Sequence, residues 1–536
     1  MNKQAKADII LSSNAVFTGL AEQPIEAAIA IIDNKIAAVG SWEDMQPLIG
    51  DETKVYTFTD KLIMPGFHDF HLHVMSGCFA EDNVYLFDAR SEEEAVELVR
   101  AHAESRPDDR YVIGFSWDSA YWEGQKMPHR SSLDRVIPDR PVILFHAEGH
   151  YAWVNSKTLE LFQIDPDTEN PPFGIIEKDE HGQLTGILYE DAMSLVTGDL
   201  YDMSEEKRRQ MFQRFLQNAA RLGVTSVNDL YSEGNSKLVK YELYREFEER
   251  DELTVRIHFH PVLDGNLEQA KQLRETYHSD KLQLSGLKQF IDGVITGYTA
   301  YMVEPYADKP DSVGDTCFPA ETIKKWVVEA DKEGFRVRFH AIGDGAIRLA
   351  LDAYEAAQKE NGIRDSRHTI EHVEVIHPDD IARFQQLGVI ASMQPNHFAL
   401  SEREGYTAKI GTEREKYVFV INTLKASGAK LAFGTDYPID KLNPLSQIHR
   451  AVTRIDSGGN DVWLPEERIT LAEALKAYTL GSAYGTFREH ELGTIEVGKL
   501  ADLIVLDRNL FAVPAEGILQ TTVDLTIADG KVVFEK

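Results

Sequence analysis

Cysteine is almost absent: Cys78 and Cys317 are the only two in 536 residues. They could make one bridge at most, and such usage fits a reducing compartment. Long apolar runs are missing as well. None approaches the ~18 residues of a membrane span, and the opening MNKQAKADIILSSNAVF has no apolar stretch leading to a small-residue cleavage site. A cytoplasmic protein that neither crosses nor binds a membrane is the expectation. Positive charge is scarce too, with 56 Lys plus Arg against 88 Asp plus Glu and a formal charge of −32. A surface of that sign repels phosphate backbones, which speaks against nucleic acid as a partner.

What is present is the composition of a globular chain, 43% hydrophobic and 27% charged. A core of this size needs neither a disulfide nor a structural metal in order to fold. The first sixty residues read as short strands broken by Asn, Asp and Gly, as in ADIILSSNAVF and AAIAIIDNKIAAVG. The last forty look alike, and the Asp-Gly of DLTIADGKVVFEK is a hairpin signal. Two short β-rich ends cannot each bury a sheet face, so 1–62 and 487–536 are expected to meet in one composite β-sandwich.

Between them, over 63–486, apolar strand, polar turn and amphipathic helix alternate, the signature of parallel βα units. The strand candidates are LIMPGFHDFHLH, GVTSVNDLY, TVRIHFHPV, LSGLKQFIDG, FRVRFHAIGD, HTIEHVEVI, GVIASMQPN and KLAFGTDYP. Eight such strands make an α/β fold of the (β/α)8, TIM-like barrel type the simplest arrangement, and a barrel with insertions absorbs ~400 residues. The first crossover is far too long for one βα unit. It carries strands of its own (YVIGFSWD, VILFHAEGH) and many aromatics. An inserted α/β subdomain at about 80–205, lying over the barrel mouth, is the expectation.

His71 and His73 lie two apart at the end of the first of these strands, so both imidazoles can reach one ion. Alone, His-x-His is weak, and His258 and His260 repeat it on the third strand. Further candidate ligands, Lys288, His340, His372 and Asp436, fall at later strand ends, and in a barrel those ends converge on one face.

Read in order, PGFHDFHLH, the lysine of LKQFIDG, HAIGD, IEHVE and GTDYP resemble the metal-site motifs of the amidohydrolase superfamily. The resemblance is closest to its amidohydrolase-3, YtcJ-like branch, which includes N-substituted formamide deformylases. DRPVILFHAEGHYAWVNS and LGTIEVGKLADLIVLD resemble that branch too, so the likeness runs over essentially the whole chain. His68 and Glu148 depart from it, and neither is a presumed ligand. The resemblance implies two adjacent metal positions, with His71, His73 and Asp436 on one divalent ion and His340 and His372 on the other. It also implies that Lys288, carboxylated by CO2, bridges them. A free ammonium beside cations is repelled, whereas a carbamate is an anionic oxygen ligand; the blander alternative is a buried lysine paired with Asp292. Nitrogen and oxygen ligands suit zinc, one or two per chain, with Mn, Fe and Ni left open.

Bound metal lowers the pKa of water towards ~7 and polarises a carbonyl, and Asp436 is the natural group to move the proton. The expected reaction is hydrolysis of a C–N bond in an amide, formamide or related small molecule. The alternatives are deamination of a cyclic amidine and a non-catalytic regulatory protein on the same fold. Candidate substrate contacts are His150, Asp292 and His397, with Trp117, Tyr121, Trp122 and Trp153 as an apolar wall. A homodimer is left open.

Overall fold

In the computed structural model, residues 5–198, 200–231, 238–400, 403–456, 459 and 461–536 are described. The repeated apolar runs become parallel strands. The first, second and third are Phe67–Leu72, Val224–Leu230 and Arg256–His260, and with Leu282–Leu284 they form one parallel sheet. Leu287–Phe290 and the fifth to eighth strands, Val337–Ala341, Thr369–His372, Ile390–Met393 and Lys430–Phe433, form another. The fourth predicted strand, LSGLKQFIDG, is interrupted at Ser285-Gly286 and so contributes to both sheets. Single parallel bridges, Leu72 to Tyr437 and Val262 to Lys288, join the two arcs at their flanks.

Helices follow the strands for the reason their sequences state. In Glu205–Arg221, Ser204 caps the N-terminus by accepting from the Lys207 amide, acidic residues fill the first turn, and Met211, Phe212, Phe215, Leu216 and Ala219 bury one stripe. Among the described residues no helix is long and apolar enough to cross a membrane.

The long first crossover carries its own six-stranded sheet, ordered Gly174–Lys178, Leu184–Glu190, Tyr151–Val154, Val142–His146, Val112–Trp117, Val84–Tyr85. Both faces are apolar. Ile113, Ile143, Phe145, Ala152, Val154 and Leu188 join the main core, whereas Val112, Val142, Leu144, Tyr151, Trp153 and Ile187 join a second cluster with helix Glu92–Ser105. One residue breaks the alternation: Ser116, at φ 65°, is a bulge at which the register to the neighbouring strand shifts. Trp117, which the parity of Ile113 and Phe115 would put on the inner face, therefore turns outward.

The strands of the two ends of the chain bond as one continuous seven-stranded sheet. Its order is Lys531–Glu535, Val523–Ala528, Leu503–Leu506, Lys54–Pro65, Ile9–Val16, Ile25–Ile32, Lys35–Gly40. The cause is the long strand Lys54–Pro65, which pairs with Ile9–Val16 along its length and with Leu503–Leu506 at its end. Ile9, Leu11, Ile29 and Ile31 share one apolar cluster with Leu503, Val505, Leu525 and Ile527. The Asp-Gly signal holds: Asp529 and Gly530, at φ 52° and 75°, turn the final hairpin.

Candidate metal centre

The ends of the first, fourth, fifth, sixth and eighth strands bring His71, His73, Lys288, His340, His372 and Asp436 to the wall of one cavity of about 170 Å³. His71 Nε2 and His73 Nε2 each lie 3.1 Å from Asp436 Oδ1, and His372 Nδ1 lies 4.0 Å from Asp436 Oδ2. His71, His372 and Asp436 each place one ligand atom within 4.8 Å of the others, and all three are buried. The His340 ring is 4.5 Å from that of His372, centroid to centroid. Lys288 is fully buried, its Nζ 4.9 Å from the centre of the Phe290 ring.

The far side of three of the four imidazoles is tied down. His71 Nδ1 faces Glu371 Oε2 at 2.7 Å, His73 Nδ1 donates to the Leu230 carbonyl at 2.9 Å, and His340 Nε2 donates to the Gly293 carbonyl at 3.1 Å. The opposite ring nitrogens are thereby aimed inward. The end of the eighth strand closes tightly on the first: a Cβ on Gly434 would sit 2.4 Å from the His71 amide nitrogen, so only glycine fits. The Asp436 amide then donates to the His71 carbonyl at 2.7 Å.

The donor set fits a cation. His71 Nε2, His372 Nδ1 and Asp436 Oδ1 are buried without a hydrogen-bond partner, and leaving such atoms unmatched costs ~1–3 kcal/mol each. Burial holds His340 and His372 well below the usual imidazole range, so both stay neutral with a lone pair to offer. For Asp436 burial works against ionisation, but His71, His73 and His372 outweigh it and keep the carboxyl well below its ordinary value. Glu371 is likewise held ionised against burial by Arg338 and His71. His372 and Asp436 also sit at φ 72° and 58°, a left-handed backbone that costs a non-glycine residue ~1–3 kcal/mol and persists where the surroundings enforce it, as at functional sites.

Of the predicted substrate contacts, two reach this region. His150 lines the cavity, with Nδ1 2.8 Å from Glu190 Oε2 and its ring 5.1 Å from that of His340. His397 lines a smaller adjoining space of about 30 Å³ with Glu374 and Tyr406, its Nε2 3.6 Å from Asp436 Oδ2. Three do not. Trp117 and Trp153 line neither space; both are fully buried in the outer core of the inserted sheet, Trp117 because of the Ser116 bulge and Trp153 because its strand parity points it that way. Phe115, Phe145, Met193 and Tyr201 form the apolar wall in their place. Tyr121 and Trp122 are absent from it as well. Asp292 also lines neither space. It accepts from the amides of Tyr301, Ile342 and Gly343 at 2.9, 3.0 and 2.9 Å and so ties together the loops after the fourth and fifth strands.

The partners Glu371, Arg338, Glu190 and Glu374 escaped the sequence reading. For Glu371 and Arg338 a signal existed, since each is a charged residue inside a buried strand within two positions of a candidate ligand, and buried charges have partners. His258 and His260, the second His-x-His, pack away from the cavity against Ser285 and Arg336.

The model of the amidohydrolase family matches residues 58–534. The chain is 33% identical to the protein LONG AFTER FAR-RED 3 of Arabidopsis thaliana, over 94% of this chain and 88% of that one. It is 26% identical to an N-substituted formamide deformylase of Arthrobacter pascens, over 99% and 98%. Among solved structures, an uncharacterized metal-dependent hydrolase from Pyrococcus furiosus superposes with a TM-score of 0.71 at 27% identity, over 93% of this chain and 99% of that one.

Proposed function

The chain belongs to the amidohydrolase family, and from that premise we propose that it hydrolyses a C–N bond, an amide or formamide, in a small molecule. The observation that carries this reading is the convergence of His71 Nε2, His372 Nδ1 and the Asp436 carboxylate, buried and unmatched, at one end of an apolar-walled cavity. His71, His73 and Asp436 would hold one divalent ion, zinc as first choice, and His340 and His372 a second. Lys288, as its carbamate, would supply the anionic oxygen between them. The two parallel arcs would close as a (β/α)8 barrel over 63–486, with the insert at about 80–205 capping its mouth and the terminal sheet of 1–62 and 487–536 standing apart from the chemistry.

When bound, the metal polarises the scissile carbonyl and lowers the pKa of water. The chain's own residues do the rest. Asp436 accepts a proton from the attacking water as its oxygen bonds to the carbonyl carbon, then returns it to nitrogen as the C–N bond breaks. The products are a carboxylate and an amine, and the returned proton matters because an amide anion leaves very poorly. Phe115, Phe145 and Tyr201 exclude water from one side of the cavity and receive an apolar substituent.

Elemental analysis of protein purified without chelators should find at least one transition metal per chain, and a panel of N-formyl, N-acyl and carbamate compounds should yield a substrate. Lys288→Ala should lose metal and turnover, with partial rescue by short carboxylates. Less than a tenth of an equivalent of metal, with no activity restored by added metal, would overturn the reading.

A further inference from the structure

The carboxylate that faces His71 belongs to a buried ion pair whose other member, Arg338, has been given no role. Arg338, two residues before His340, and Glu371, beside His372, are both completely buried and meet at 2.6 Å. Glu371 divides its oxygens: Oε1 accepts from Arg338 Nε at 2.6 Å, and Oε2 lies 2.7 Å from His71 Nδ1. Arg338 directs its other nitrogens to Asn228 Oδ1 at 2.9 Å and to the Phe70 carbonyl at 2.6 Å, with its plane over the Phe70 ring. One guanidinium thus binds groups on the first, second and sixth strands. Buried ion pairs contribute little to stability, because desolvation offsets their attraction, so the pair needs another reason to stand in an apolar interior.

Its third member supplies one. An ionised carboxylate can only accept, so His71 must carry its proton on Nδ1 and aim the lone pair of Nε2 at the Asp436 side, where the carboxylate stands 3.1 Å away. We propose that Glu371 and Arg338 are a positioning pair that sets the tautomer and direction of His71, and through it the affinity of the metal position formed by His71, His73 and Asp436. This rests on the metal-dependent reading above.

Arg338 offers no acceptor. In Glu371→Gln the new amide must therefore turn its oxygen to Arg338 and its NH2 to His71 Nδ1, which then has to accept; the histidine proton moves to Nε2 and blocks the ligand atom. Cobalt(II) affinity of the full chain, measured by chelator competition after metal removal, should fall ~10–100-fold, with a changed visible spectrum. In the double variant Glu371→Gln, Arg338→Met the amide is released to turn its oxygen to His71, and affinity should recover in part. A pair that merely holds the fold predicts the reverse order, and a double variant binding no better than the single one overturns the proposal. Nitrogen-15 NMR of the histidine-labelled, cadmium-loaded parent tests it without any variant: His71 should show a metal-bound Nε2 and a protonated Nδ1. A parent that binds no cobalt overturns the metal reading itself. A parent that binds, together with a Glu371→Gln variant of parental affinity or a His71 bound through Nδ1, overturns the positioning pair alone.

Discussion

Replacing Asp436 with Asn changes one atom and separates two roles. The carboxylate stands 3.1 Å from both His71 Nε2 and His73 Nε2, 3.6 Å from His397 Nε2 and 4.0 Å from His372 Nδ1. Asparagine has the same shape and keeps one oxygen for this ring of imidazoles, so at saturating metal the site should still fill. What it lacks is any capacity to accept a proton from water and return it to nitrogen. Such general acid–base help is worth ~10²–10⁴ in rate, which corresponds to about 2.7–5.4 kcal/mol of barrier at ~1.36 kcal/mol per decade. The assay pairs kcat at saturating substrate with metal stoichiometry by elemental analysis on the same preparation. A collapse of kcat with metal retained is the expected result. Near-parental kcat with metal intact would refute the proton-transfer role, and His150 or His397 would take its place as the candidate.

Metal removal should destabilise the fold: at a free metal concentration of 100 times Kd the loaded protein gains ~2.7 kcal/mol, read as a fall in Tm after chelator dialysis and its recovery on reloading. Trp153→Ala should cost ~3–5 kcal/mol of stability, as for other large aromatic truncations in a core, while the relative kcat/KM for substrates of different N-substituent size stays put; Phe145→Ala should shift that ratio, and equal selectivity in the two variants would count against the apolar wall. Gly77→Ala should lower both stability and metal content. Its Cβ would lie 1.7 Å from Tyr437 Cε1, overpacking of this kind costs ~1–3 kcal/mol, and Tyr437 adjoins Asp436, so a Gly77→Ala protein with parental metal affinity would contradict the coupling.

Much of the parallel framework was legible because each apolar run ends in a residue that has no business in a core, and strand parity then says which of these share a side. Hence His71 and His73 could be paired on paper and then found together around Asp436. Parity also has a limit. In the inserted sheet both faces are apolar, so alternation alone could not say which one meets the cavity, and the Ser116 bulge turns Trp117 away from it. Glu371 meets His71 across 300 residues of chain, and no local pattern encodes such a partner. Asp292, a candidate contact by sequence, accepts from three backbone amides on two later loops, an arrangement no local pattern encodes. The terminal strands announced their presence but not their bonding, because a long strand such as Lys54–Pro65 can serve two neighbours at once.

The pleat of the inserted sheet has a consequence for how this enzyme could diversify. Residues one step apart along the same strand answer to different demands: Leu144 holds the insert to its own helix, while Phe145 looks into the cavity. Exchange of Phe115 or Phe145 for smaller or larger side chains can therefore alter which molecules are admitted while the anchoring layer of Val142, Leu144 and Trp153 is left alone. Deleting the extra residue at Ser116 would leave that division intact, because Trp117 already pairs with His146 one step after Phe115 pairs with Phe145, and the strand would simply run straight.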